Sequence, residues 1–136
     1  MEKTEKLYES KIVVVDDNKD ITDCLSILLK FEKFSNIYTF NTAKDTLAFL
    51  KQNKPDVIIS DLILAETDGL QFFDKVNELY PDVIKILLGA YIPEERLKQA
   101  FEETGIYKFL EKPWDNDELI SCIKSGIEKL TGSNKQ

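Results

Sequence analysis

Two adjacent aspartates, Asp16 and Asp17, follow the apolar run Ile12–Val15, and a third, Asp61, follows Val57–Ser60. A lysine, Lys112, follows Lys108–Glu111 and precedes Pro113. Short β-branched runs bounded by polar residues read as strands, so each of these charged groups stands at the carboxyl end of a strand. In an open parallel sheet, ligands bind beyond those ends. Brought together, three carboxylates and one ammonium form a compact acidic pocket suited to a small hard cation and a phosphoryl group.

The absence of histidine narrows the chemistry. Ser-His-Asp and Cys-His catalysis, histidine metal centres and self-phosphorylation on histidine are closed to the chain. The net charge of −7 comes without any cluster of lysines or arginines, which excludes the basic patch that direct nucleic-acid binding requires. No apolar run approaches the ~18 residues of a membrane span. Residues 1–10 are charged and lack the apolar core of a signal peptide. Cys24 and Cys122 fit no metal spacing, and both read as small buried hydrophobes in a reducing, cytoplasmic compartment.

The elements that must position the four charged groups alternate regularly. Strands are expected near 11–15, 36–40, 56–60, 83–88 and 106–110, each followed by an amphipathic helix. In the first helix, Ile21, Cys24, Leu25, Leu28 and Leu29 recur at the spacing of one buried stripe. Asn41 is the expected N-cap of the second, which buries Ala43, Leu47 and Leu50. The third buries Leu70, Phe73 and Val76 and stops at Pro81. Pro93 is expected at the first position of the fourth, with Leu97, Ala100 and Phe101 as its stripe and Gly105 closing it. Asp115 and Glu118 resemble a capping box for the fifth, which buries Leu119, Ile120, Ile123, Ile127 and Leu130. Strands separated by helices pair in parallel. The nearly continuous Val, Ile and Leu of strands one, three and four suit strands covered on both faces, whereas the more polar second strand belongs at an edge. The fold class is therefore α/β. One domain is expected over 11–130, with an N-terminal extension at 1–10 and a polar tail at 131–136.

With Asp16-Asp17, Asp61, Gly69 eight residues beyond it, and Lys112-Pro113 in that order at strand ends, the chain resembles the response-regulator receiver domains of two-component signalling over roughly residues 10–130. The resemblance implies a flavodoxin-like doubly wound (βα)5 fold with a five-stranded parallel sheet of order 2-1-3-4-5. It implies that Asp61 accepts a phosphoryl group from a phosphohistidine on a sensor histidine kinase or phosphotransfer protein. It assigns Mg2+ (or Mn2+) to Asp17 and Asp61 directly, to Asp16 through water and to the backbone carbonyl of Ile63. Lys112 is assigned to pair with Asp61 and then with the phosphate, and the Lys112–Pro113 bond is expected to be cis. An output domain or protein, or a second copy in a homodimer, is expected at the face made by the fourth helix, fifth strand and fifth helix. Trp114, Tyr107, Tyr91 and Phe109 gather around that strand and its neighbouring loops.

The pattern has departures. The family's Thr or Ser at the end of strand four falls on Gly89, which has no hydroxyl, and the family's switch aromatic falls on Phe109. Ala65 stands where many relatives have proline, a change expected to affect only loop stiffness. The run Lys112–Leu119 resembles a subgroup often joined to cyclic-dinucleotide phosphodiesterase or transcription-activator modules. The missing hydroxyl leaves open a second reading, a pseudo-receiver that serves as an interaction module without phosphorylation. A Mg2+-dependent phosphohydrolase and a flavodoxin-type electron carrier are further readings of the same fold class. Adjacent rather than alternate aspartates weigh against the first, and the lack of a phosphate-cradling loop after strand one weighs against the second.

Overall fold

Strand residues alternate between two faces, and in β1 (Lys11–Val15) the residues after Lys11, Ile12 to Val15, are apolar and fully buried on both. Ile12 and Val14 pack into one hydrophobic cluster, and Val13 and Val15 into another on the opposite side. A strand buried on both faces needs covering layers on both, which crossover helices supply. The computed structural model, which describes residues 6–131, shows this three-layer arrangement. In chain order the elements are β1, α1 (Lys19–Phe31), β2 (Asn36–Phe40), α2 (Ala43–Leu50), β3 (Val57–Asp61), α3 (Gly69–Leu79), β4 (Ile84–Gly89), α4 (Glu94–Thr104), β5 (Lys108–Glu111) and α5 (Asn116–Thr131). The five strands are all parallel in the order β2-β1-β3-β4-β5. This is the flavodoxin-like fold, with the partly exposed β2 at an edge.

Leu25, Leu29, Leu119, Ile123 and Ile127 join the cluster under α1 and α5. Leu50, Phe72, Phe73, Val76 and Ala100 join the one under α2, α3 and α4. A helical turn at 6–8 precedes β1, where the Tyr8 carbonyl accepts from the Ser35 backbone N–H at 3.0 Å and the Tyr8 ring packs 5.2 Å from that of Phe34. Most of the expected polar tail, 132–136, lies outside the described residues.

Several local expectations need correction. Thr42, not Asn41, caps α2, because Thr42 is the residue with extended backbone whose hydroxyl accepts from Asp45 N–H at 3.0 Å. Asn41 turns the other way, toward β1. Cys24 is exposed; the inward positions of α1 are Thr22, Leu25 and Leu29, so the buried stripe is rotated from the purely apolar one. Thr22 tolerates burial because its hydroxyl donates to Lys19 O at 3.0 Å and accepts from Asn41 at 3.3 Å. In α4, Phe101 is exposed and Thr104 buried instead, its hydroxyl donating to Ala100 O at 2.7 Å. Pro93 is the N-cap of α4 rather than its first residue, and β4 and β5 start one and two residues later than expected. Gly105 closes α4 in the left-handed conformation with φ 68°, a region that a residue without Cβ enters at no steric cost. Asp115 caps α5, accepting from Asp117 N–H at 2.8 Å and Glu118 N–H at 3.2 Å.

One buried charge sits away from the strand ends. Lys85 in β4 is 1% exposed, and its ammonium donates to the carbonyls of Val83 at 3.0 Å and Pro81 at 3.3 Å. Burial pushes its pKa below the ordinary lysine value, against a smaller opposing pull from Asp82. The folded state therefore binds fewer protons than the unfolded state as pH approaches 10.5 from below, and stability rises with pH in that window. Replacing Lys85 with Met should flatten this rise and leave neutral-pH stability within about 1 kcal/mol of native, or above it. Urea unfolding of both proteins across the window checks this; parallel pH profiles would contradict it.

Candidate functional site

The parallel register levels the strand ends. Val15 pairs with Ser60, Asp61 with Leu88, and Gly89 with Glu111. Backbone bonds continue the ladder past the strands, with Leu62 N–H donating to Leu88 O at 2.6 Å and Lys112 N–H to Gly89 O at 2.7 Å. The side chains of residues 16, 61 and 112 are thereby delivered to one spot. Lys112 Nζ lies 2.8 Å from Asp61 Oδ1 and 3.6 Å from Asp16 Oδ2. Asp16, Asp17 and Asp61 each offer an oxygen within 4.8 Å of the others.

Each member is held from behind. Asp16 is buried; its backbone N–H donates to Phe40 O at 3.2 Å, and its Oδ1 accepts from Asn18 N–H at 2.9 Å. Asn41 Nδ2 donates to the Asp16 carbonyl at 2.8 Å, so the edge strand grips the loop that carries the two aspartates. Asp17 is exposed at the mouth. Behind Asp61 the chain passes so close to α3 that a Cβ on Gly69 would lie 2.5 Å from the Asp61 carbonyl oxygen. Only glycine fits there, because the obstruction is backbone. Gly69 N–H donates to Leu62 O at 2.6 Å, and Leu64 N–H to Thr67 O at 2.9 Å. These two bonds bracket Ile63, the residue whose carbonyl was expected as a ligand.

The electrostatics follow from crowding. Burial raises the Asp16 carboxyl above its ordinary pKa; the Asn18 N–H opposes this, the Asp61 charge adds to it, and Lys112 partly offsets it. Burial by itself would lower the Lys112 ammonium, but its hydrogen bond to Asp61 and the charges of Asp61 and Asp16 outweigh that and hold its pKa above the usual lysine value. Asp16 Oδ2 is buried without a hydrogen bond. A cluster of hard oxygen donors, one of them a buried carboxylate oxygen with only a 3.6 Å ion pair to Lys112 and no hydrogen bond, fits a divalent cation, which would relieve the repulsion among the carboxylates.

The four sequence-expected charged residues come together. The Lys112–Pro113 peptide bond is cis. Gly89 is buried at the end of β4 and Phe109 half-buried on β5. Tyr91, expected with the other aromatics around β5 and its neighbouring loops, is exposed in the loop after β4. Asn41, the Leu62 backbone and Asn18 are the contributors that sequence reasoning missed: the role of Asn41 exists only once β1 and β2 lie side by side and that of Leu62 only once β3 and β4 do, whereas the Asn18 N–H bonds the Asp16 carboxylate two residues away.

The sequence matches the model of the response regulator receiver domain family over residues 12–124. The chain belongs to that family. It is 29% identical over 120 residues to the hydrogenase transcriptional regulatory protein HoxA of Cupriavidus necator, a match covering 88% of this chain and 24% of that one. It is 33% identical over 120 residues to an uncharacterized 14.6 kDa protein in the sodA1 3' region of Leptolyngbya boryana, covering 87% and 90%. Among solved structures, the signal receiver domain of an HD domain-containing protein from Pseudomonas fluorescens Pf-5 superposes with a TM-score of 0.84 at 27% identity, covering 91% of this chain and 98% of that one. The chain spans about a quarter of the length of the first transcriptional regulators it matches. As a receiver domain it is part of two-component signalling, and receiver domains generally bind Mg2+ at an acidic pocket such as this one.

Removing the ammonium should expose the crowding. With Lys112→Met, Asp61 and Asp16 lose their nearest positive charge in a partly buried site. The expected loss is about 2 kcal/mol at neutral pH without divalent cations, between the values for exposed and buried pairs. Urea unfolding measures it; a loss no larger than that of an exposed lysine such as Lys19→Met would show that the pairing contributes little.

Proposed function

We propose that this receiver domain, over residues 11–130, accepts a phosphoryl group on Asp61 in a Mg2+-dependent reaction and thereby switches the binding of an output partner at the face of α4, β5 and α5. The observation that carries this reading is the 2.8 Å contact of Lys112 Nζ with Asp61 Oδ1 inside a cluster of three carboxylates at the strand ends. Asp61 is the nucleophile. One of its oxygens bonds to phosphorus as the phosphorus–nitrogen bond of a partner's phosphohistidine breaks, and the imidazole leaves with that electron pair. Asp17 and Asp61, with Asp16 through water and the Ile63 carbonyl, would hold Mg2+ (or Mn2+), which neutralises charge on the phosphate oxygens when bound. Lys112 exchanges its place on Asp61 for one on the phosphoryl group. Phosphoryl transfer asks the protein for positioning and charge compensation, and the strand-end ladder supplies the positioning.

The donor is a histidine kinase or phosphotransfer protein, because the chain has no histidine of its own. A groove of about 790 Å³ between α1 and the β5–α5 loop gives such a donor a seat. Ile21, Leu25, Leu28, Pro113 and Trp114 line it, and Lys112 closes one end, so the groove runs into the acceptor site. Ile27 and Phe31, also lining the groove, are 69% and 79% exposed, as suits residues covered by a partner. Two free cysteines, one exposed, fit the reducing cytoplasm in which such donors act. No described helix is long and apolar enough to cross a membrane.

Gly89 favours the second reading, an interaction module that works without phosphate, because it lacks the hydroxyl that would bond the phosphoryl group. Mass spectrometry separates the two. With acetyl phosphate and Mg2+ the native chain should gain one phosphoryl group; chelation of the cation or Asp61→Asn should prevent it. No gain from any phosphodonor would rule out the acceptor role and leave the interaction module. Ile27→Glu with Phe31→Glu should slow transfer from the cognate phosphohistidine protein at least about tenfold, as loss of a central apolar anchor does. The same pair should leave labelling by acetyl phosphate unchanged. Equal slowing with both donors would mean that the groove acts on the site and not on docking.

A further inference from the structure

Gly89 lies between the strand that ends in Asp61 and the strand that leads to Lys112. A Cβ placed on it would sit 2.9 Å from Leu62 Cβ, 3.2 Å from Leu62 Cδ2 and 3.3 Å from Phe109 Cε1. The first distance is shorter than side-chain carbons tolerate, so the position of a residue-89 side chain is already taken. Leu62 fills it from the β3 side and Phe109 from the β5 side. Both also pack against the cluster under α2, α3 and α4.

Leu62 is not free to move alone. It is the residue after Asp61, its N–H is bonded to Leu88 O and its carbonyl to Gly69 N–H, each at 2.6 Å. A displacement of Asp61 is therefore shared by Leu62, whose side chain borders, together with the Phe109 ring, the space that a Cβ on Gly89 would take. Phe109 is half-buried between the exposed Lys108 and the buried Leu110, at the edge strand of the sheet. A shift of its ring alters what β5 presents to solvent. Close packing transmits such shifts because the interior has no slack to absorb them.

We propose that Leu62 and Phe109, converging on Gly89, form a steric relay that carries the loading of Asp61 to the β5 face, in place of a hydroxyl at position 89. The relay rests on the acceptor reading of Asp61, and it assigns Leu62 a positioning role between the site and Phe109. It also gives the glycine a function. With a larger residue at 89, Leu62 and Phe109 could not both occupy that space.

Fluorine NMR with para-fluorophenylalanine placed at position 109 tests this, using beryllofluoride and Mg2+ as the phosphoryl probe. Bound beryllofluoride gives its own fluorine resonance, which reports occupancy independently of position 109. In the native chain, occupancy should displace the residue-109 resonance. In Leu62→Ala the displacement should shrink about fivefold or more, while beryllofluoride affinity changes less than about twofold, a size typical of residues that couple two sites without touching the ligand. Gly89→Ala should displace the resonance before any probe is added, because its Cβ takes the shared space. A full response in Leu62→Ala, or an unmoved resonance in Gly89→Ala, overturns the relay. Beryllofluoride binding with no response at 109 in the native chain overturns the relay and leaves the acceptor reading standing. No beryllofluoride binding in the native chain overturns both.

Discussion

Like charges repel, and this fold forces three of them together. The carboxylates of Asp16, Asp17 and Asp61 come within 4.8 Å of one another because the strands they follow are level in register. One ammonium, Lys112, reaches across from the far side of β4 and touches two of them. The balance is incomplete: Asp16 is pushed toward its protonated form, and one of its oxygens is buried without a hydrogen bond. A site with unsatisfied negative charge at the edge of a rigid sheet is poised to take a cation.

The rest of the structure keeps that arrangement from relaxing. Two apolar clusters cover the sheet on both faces, so the strands cannot slip without exposing whole rows of Val, Ile and Leu. The loops beyond the strand ends are pinned by short contacts: Asn41 on the Asp16 carbonyl, Gly69 against Leu62 and Asp61, and Lys112 N–H on Gly89. Relaxing the carboxylates apart would break these bonds in sequence. At Gly89, at the end of β4, a Cβ would lie 2.9 Å from Leu62 Cβ and 3.3 Å from Phe109 Cε1, so the neighbouring side chains leave no room for one.

The alternation of strands and helices, the parallel sheet, the edge position of β2 and the convergence of Asp16, Asp17, Asp61 and Lys112 were all legible in the order of residues. They depend on periodicity and on strand ends, both of which are local. What was misread depended on neighbours distant in sequence. Cys24 looked buried because the stripe Ile21, Cys24, Leu25 is apolar, yet the helix turned Thr22 inward, where Asn41 could bond it. Asn41 looked like a cap because its residue type caps well, yet Asp16, 25 positions away, claimed its side chain. Phe101 looked buried by spacing, while Thr104 could satisfy its hydroxyl within its own helix and take the inner position.

By itself, then, the sequence determined which chemical groups exist and at which strand ends they stand, since side-chain type and hydrophobic period are properties of short segments. Only the tertiary structure decided how these groups are held, which face of each helix turned inward, and what fills the space at Gly89. Those outcomes depend on contacts between β1 and β2, between β3 and β4, and between β4 and β5. No segment carries such contacts before the sheet has formed.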